Sequence, residues 1–163
     1  MRRKQCVISC LLVLGALGPV AACTDAHKGP PADPRAYGGS DRNVTLSAAL
    51  HTCGFRVPAT SSDLKYLTRK EWDGLVFLVR FTTDKAGYGD FLKSVGLTEG
   101  VLVPADSSAF DLDGTRLGWR LKAGRRYITG TGSKGLPSSA TYNLTVDITD
   151  SSSPTVYVEC ITD

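Results

Sequence analysis

Three groups of residues in this 163-residue chain have types and spacings that chemistry uses. The first is Asp106, Asp111 and Asp113, within the run Ala105 to Thr115. Carboxylates two residues apart can divide the work of nucleophile and acid/base, or offer oxygen ligands to a calcium ion. An EF-hand loop would need a glycine after Thr115, where Arg116 stands. The second is Gly130-Thr131-Gly132-Ser133-Lys134-Gly135, which fits G-x-G-x-x-G. That pattern binds phosphate only where a helix opens behind it. Leu136-Pro137-Ser138-Ser139 opens none, so the expectation is a flexible connection between strands. The third group is the two histidines and five cysteines. His27 falls in a Pro- and Gly-rich stretch, and no nucleophile elbow surrounds any serine that could use His51. A zinc site would need more Cys or His close together. No catalytic residue, metal site or cofactor is therefore assigned.

Asp111-Leu112-Asp113-Gly114-Thr115 is similar to the first motif of haloacid-dehalogenase-type phosphatases. That resemblance implies Asp111 as nucleophile and Asp113 as acid/base beside magnesium. In that family an apolar buried strand precedes the motif, near the start of a large α/β domain. Here polar residues precede it and strands follow it, so an Asp-Gly turn explains the same letters. A carboxylate-dependent exported hydrolase stays as an alternative function, centred on Asp106, Asp111 and Asp113.

The first 22 residues have the three parts of an export signal. Arg2, Arg3 and Lys4 give the charge, Val7 to Leu17 the apolar core, and Val20-Ala21-Ala22 the small-residue end. The core is shorter than the roughly 20 apolar residues that span a bilayer, and Gly15, Gly18 and Pro19 break it. Val20-Ala21-Ala22-Cys23 resembles the bacterial lipobox, and with the tether below the chain resembles small actinobacterial surface lipoproteins. The resemblance implies a diacylglycerol with palmitate-type acyl chains on the Cys23 sulfur, cleavage before Cys23, and a cell-membrane anchor on the extracytoplasmic face. Ordinary secretory cleavage after Ala21 or Ala22 is the competing reading. Residues 23–42, rich in Pro, Gly and charge, read as a flexible tether. From Thr24 to about Arg42 such a coil of about 19 residues has a mean reach of roughly 25 Å.

Residues 43–163 read as one domain. Thr45 caps a helix whose Leu46, Ala49, Leu50 and Cys53 share a face, and Gly54 ends it. Leu64 to Thr68 reads as a strand. Gly74 to Thr82 is the strongest strand, with Leu75, Phe77, Val79 and Phe81 on one face and Val76 and Leu78 partly apolar on the other, which places it centrally. Tyr88 to Val95 reads as a short helix, and Leu97 to Gly114 mostly as loop. Leu117 to Leu121 and Arg126 to Thr129 are weaker strands. Tyr142 to Ile148 and Val156 to Ile161 alternate around Asp150-Ser151-Ser152-Ser153-Pro154 as an antiparallel hairpin. The fold class is α+β: a mainly antiparallel sheet with two short helices packed on one face. There is no internal repeat.

Cys6 and Cys10 leave with the signal and Cys23 carries lipid, so Cys53 and Cys160 remain. Both point to the predicted core, and an exported domain with two cysteines predicts a bridge between them. Three of the nineteen basic residues lie in the first segment, which holds no acidic residue, so sixteen stand against sixteen beyond it. A balanced chain opposes nucleic acid as a partner and opposes purely electrostatic membrane binding. Trp72 and Trp119, with Tyr66, Tyr127 and Tyr157, are candidates for a ligand surface or for packing. The leading expectation is a non-enzymatic surface module that binds an envelope protein, a wall component or a small ligand. An inhibitor of another exported protein is a further alternative.

Overall fold

A computed structural model describes residues 32–106, 109–110, 112–134 and 139–163. Cys6, Cys10, Cys23, His27 and Asp111, with the signal and lipobox readings, lie outside the described residues.

The helices and strands follow from local rules. In α1, Leu46–Cys53, the Thr45 hydroxyl accepts from Ala48 N–H, and Gly54 closes the helix at φ 68°. In α2, Lys85–Ser94, the Asp84 carboxylate caps Gly87 N–H. The strands are β1 (Ser62–Lys70), β2 (Leu75–Thr82), β3 (Val103–Pro104), β4 (Tyr127–Lys134), β5 (Ala140–Asp147) and β6 (Thr155–Thr162). They form one six-stranded antiparallel sheet in the order β1-β2-β6-β5-β4-β3, so β2 lies inside the sheet between β1 and β6. The fold is α+β.

Alternation divides each strand between two faces. On the first face Phe77, Val79 and Phe81 of β2 line up with Cys160, Val158 and Val156 of β6. Tyr142, Leu144 and Val146 of β5 continue the rows. Helices α1 and α2 cover this face through Leu46, Ala49, Phe91 and Leu92. Phe55 sits at the centre, its ring centroid 5.6–5.9 Å from those of Phe77, Phe91 and Tyr142. A disulfide joins Cys53 of α1 to Cys160 of β6, and the Tyr142 hydroxyl donates to the Cys53 carbonyl at 2.6 Å.

The second face departs from the expected one-sided cover. A third short helix, α3 (Leu112–Arg116), lies over it. Trp119 packs there on Val76 and Leu78, with Phe110, Leu117 and Tyr157 alongside. Part of the loop expected between Leu97 and Gly114 is therefore α3, a 3₁₀ turn at Glu99–Val101 and the short β3. The strand expected over Leu117 to Leu121 does not form. Gly118 turns the chain at φ 80°, Trp119 N–H donates to the Gly114 carbonyl, and the indole is 6% exposed. A single large ring finding a sheet face outweighs weak β propensity.

The Gly-rich motif is also corrected. Its first five residues are the end of strand β4, not a flexible connection, and Gly135 to Ser138 lie outside the described residues. Gly130 and Gly132 pair with Leu144 and Tyr142, the first-face residues of β5. A Cβ on Gly130 would lie 2.5 Å from Leu102 Cδ2, and one on Gly132 would lie 3.1 Å from Leu97 Cγ. The glycines seat Leu102 and Leu97 against the sheet.

The expected tether shortens as well. Tyr37 N–H donates to Tyr66 O, Tyr66 N–H to Arg35 O, and Asp41 N–H to Thr68 O, so residues 35–41 lie along the outer edge of β1. Unpaired edge groups of a strand favour such cover. Asp33 completes the strap: it takes Arg35 through both carboxylate oxygens and accepts from the Tyr66 hydroxyl at 3.2 Å. The Arg35 hydrogen bonds hold the Asp33 carboxyl well below the usual carboxylate range.

Candidate functional site

The sheet's second face carries a cavity of about 300 Å³ beside the α3 segment. Its floor follows from strand register. Thr131 of β4 is opposite Asn143 of β5, which is opposite Glu159 of β6. One row away, Thr129, Thr145 and Tyr157 align in the same way. Both rows stand on the face away from the main core.

The wall is aromatic. Phe110, Trp119 and Tyr157 meet edge to face, with centroids 5.1 Å apart for Phe110–Tyr157, 5.2 Å for Trp119–Tyr157 and 6.0 Å for Phe110–Trp119. Such geometry suits the ring quadrupoles and stiffens the cluster. Two groups outside hold it. Trp119 Nε1 donates to the Tyr37 hydroxyl at 3.3 Å, and the Arg80 guanidinium lies 5.8 Å from the Tyr157 ring centroid.

The polar side is built around Glu159, whose residue is 7% exposed. Asn143 Nδ2 donates to Glu159 Oε2 at 2.7 Å. That hydrogen bond fixes which way the amide points. Thr145 Oγ1 donates to the Ala109 carbonyl at 2.8 Å, tying the covering segment to the floor. Thr129 Oγ1 donates to Leu144 O at 2.7 Å.

The candidates raised by the sequence separate. Trp119 and Tyr157 enter this cavity. Tyr66 belongs to the main core, and the Tyr127 hydroxyl accepts from Lys122 N–H at 3.3 Å. Trp72 stands fully exposed in the β1–β2 turn. His51 is exposed on the last turn of α1. Asp113 pairs with Arg69 at 2.7 Å and Arg116 at 3.2 Å. The Arg69 hydrogen bond lowers the Asp113 carboxyl from its ordinary range, making it a poor proton donor or acceptor near neutral pH. The pair with Arg69 pins α3 to β1. Among the described residues, no three His, Cys, Asp or Glu side chains converge as a metal site would require.

Asn143, Thr131 and Glu159 were not among the sequence candidates. The signal was present in the hairpin's second stripe, where Asn143, Thr145, Tyr157 and Glu159 alternate with the apolar positions. A stripe of polar residues normally means solvent, and only the cover by Phe110 and Trp119 makes it a cavity wall.

A wider, more open depression of about 770 Å³ lies beside α1, near Arg35, His51 and Arg56. Arg35 there is committed to Asp33, and His51 and Arg56 are exposed. The smaller cavity, with its hydrogen bond from Asn143 to the buried Glu159, is the better defined site.

Among the described residues no helix is long and apolar enough to cross a membrane. Comparison with protein-family models, with curated proteins and with solved structures finds no match for this chain.

Proposed function

We propose that this chain is an extracytoplasmic lipoprotein, anchored in the cell membrane through lipid on Cys23, and that its domain binds a ligand or partner without transforming it. The observation that carries the binding role is the cavity on the second sheet face, where an aromatic wall meets the Asn143–Glu159 pair. Preformed cavities lined by rings and a few fixed polar groups are how folded domains hold small ligands. The location rests on Val20-Ala21-Ala22-Cys23 and the charged and apolar segments before it. The Cys53–Cys160 bridge supports it, since disulfides persist in oxidising compartments.

Intact mass of the protein recovered from host membranes tests the anchor. The expected species begins at Cys23, carries added lipid mass and is two hydrogens short for the bridge. Cys23→Ser should move the protein to the soluble fraction. An unlipidated, soluble wild-type protein would remove the anchor from the proposal.

The hydrolase alternative is not favoured, because Asp113 is held between Arg69 and Arg116. Retained hydrolysis of any substrate by Asp113→Asn protein would dispose of it. The inhibitor alternative predicts one stoichiometric protein partner on purification from the envelope.

A further inference from the structure

We infer that the loop between α3 and β4, residues 117–126, docks on anionic lipid headgroups of the membrane in which the chain is anchored. This rests on the anchoring proposed above and specifies which part of the domain meets the bilayer.

The balance of charge over the whole chain hides a local excess. From Gly114 to Val146 stand Arg116, Arg120, Lys122, Arg125, Arg126 and Lys134, and no acidic residue. Screening limits the reach of a charge to about 8 Å at physiological ionic strength. A nearby surface therefore reads the charges that face it, not the net charge. Arg120, Lys122, Arg125 and Arg126 are all exposed. Arg125 pairs with Asp147, and Arg116 with Asp113. Among the described residues no carboxylate pairs with Arg120, Lys122 or Arg126.

The loop holds these cations in a fixed shape. Lys122 O accepts from Arg125 N–H, with Gly124 at φ 77°, so Ala123 and Gly124 form the tip of a turn. Lys122 N–H donates to the Tyr127 hydroxyl. Arg126 N–H donates to Thr149 Oγ1 at 2.9 Å, and its guanidinium to Ile148 O at 3.2 Å. Docking has little backbone left to order.

Strand register puts the tether at the same end of the sheet. Tyr127, Asp147, Thr155, Thr82 and Ser62 form one terminal row across β4, β5, β6, β2 and β1, and the loop runs into Tyr127. Lys65 and Arg80 pair just inside that row. Lys65 Nζ donates to Pro34 O at 2.9 Å, where the strap enters. Trp119, beside Arg120, donates from its indole to Tyr37 of the strap. About ten residues separate Cys23 from Asp33, so the anchored chain delivers this end of the domain to the bilayer. The exposed acids here are Asp63, Asp84 and Asp150, and Lys85 adjoins Asp84; Asp33 is held by Arg35. They leave an excess of cations. The opposite end, at the β1–β2 turn, exposes Glu71, Asp73 and Asp163 against Lys70, which an anionic surface repels.

On the proposed anchoring the mature protein has no free thiol, since Cys23 carries lipid and Cys53 is bridged to Cys160. Ala123→Cys then takes one fluorophore at the tip of the loop, and Trp72→Cys takes one at the opposite end. Each labelled lipoprotein would be reconstituted in phosphatidylcholine vesicles with and without about 30 mol% phosphatidylglycerol, with a nitroxide-headgroup lipid as quencher. The expected result is quenching at position 123 and not at position 72, in the anionic vesicles alone. A Lys or Arg near an anionic surface is worth about fivefold in partition. Arg120→Gln with Lys122→Gln should thus shift docking by at least about tenfold, with the melting temperature unchanged because both side chains are exposed. Salt at about 1 M, which shortens the screening length to about 3 Å, should release the loop.

Equal quenching at the two positions, quenching indifferent to phosphatidylglycerol, or no effect of the double variant would overturn the inference. So would a crosslink from position 123 to one protein in host membranes without quenching in vesicles, which assigns the loop to an acidic protein partner. Intact mass of the same preparation separates this from failure of the anchor. Lipid on Cys23 with an unquenched loop overturns this inference alone, and host protein without lipid on Cys23 overturns both.

Discussion

The Tyr88 side chain shows what one atom can cost. Its hydroxyl is one of two buried side-chain polar atoms without a hydrogen-bond partner among the described residues; the other is Ser61 Oγ. Burial pushes its pKa up to about 12, with the charge of Glu99 adding to the effect. An unpaired buried hydroxyl costs about 1–3 kcal/mol, while the ring itself packs in the main core. Tyr88→Phe should therefore raise stability by up to about 1 kcal/mol, read as a higher urea midpoint at constant slope. A lower midpoint would mean that the hydroxyl has a partner, such as an ordered water. Single residues were unevenly legible in sequence. Thr45, Gly54 and Cys53 declared their roles, because capping and helical spacing are local rules. Gly130 and Gly132 did not: their reason lies in Leu102 and Leu97, about 30 residues earlier.

At the scale of elements, the sheet is tied to its helices by two different devices. The disulfide joins α1 to β6 across 107 residues of chain. In the chain-entropy argument a loop of that length is worth about 4–5 kcal/mol. Cys53→Ala with Cys160→Ala should lower the melting temperature sharply and leave it insensitive to reductant, whereas the wild type should fall towards the variant on reduction. The second device is Asp113, which holds α3 on β1 through Arg69. Its carboxyl is lowered in the folded chain by that hydrogen bond, as Asp33 is by Arg35. Asp147 is lowered too: burial raises it, but hydrogen bonds from Thr149 and Arg125 outweigh that. Below the ordinary carboxylate range the unfolded chain takes up protons that the folded chain resists. Stability should thus be flat above about pH 5 and fall as pH drops below about 4. Asp113→Asn should cost about 1 kcal/mol at neutral pH, because its arginine partners are largely solvated, and should make the acid limb shallower. Thermal melts at pH 7, 5 and 3 check both. The strands β2, β5 and β6 and both helices of the first face were legible, since each carries an apolar period of its own. α3 and β3 were not, because their positions are set by Arg69 and Thr129 on other elements.

Across the whole molecule, the two tryptophans occupy opposite environments. Trp119 is 6% exposed and closes the second face, while Trp72 is fully exposed. Trp119→Ala should cost about 3–5 kcal/mol, and Trp72→Ala should stay within about 0.5 kcal/mol. Equal effects in chemical denaturation would contradict this arrangement. Periodicity alone made α+β class and one buried sheet face readable. The candidate site was only half readable: Trp119 and Tyr157 stood out as rings, but Asn143 and Glu159 matched an ordinary solvated stripe until the cover over them was known. The strap along β1 carries a different consequence. On the proposed anchoring, docking of Asp33 and Arg35 leaves about ten residues between lipid and fold, a leash that can span at most about 35 Å. A leash that short restricts how far the domain can wander and turn. Whatever fills the cavity would have to be met within a few nanometres of the membrane surface rather than captured from the surrounding medium.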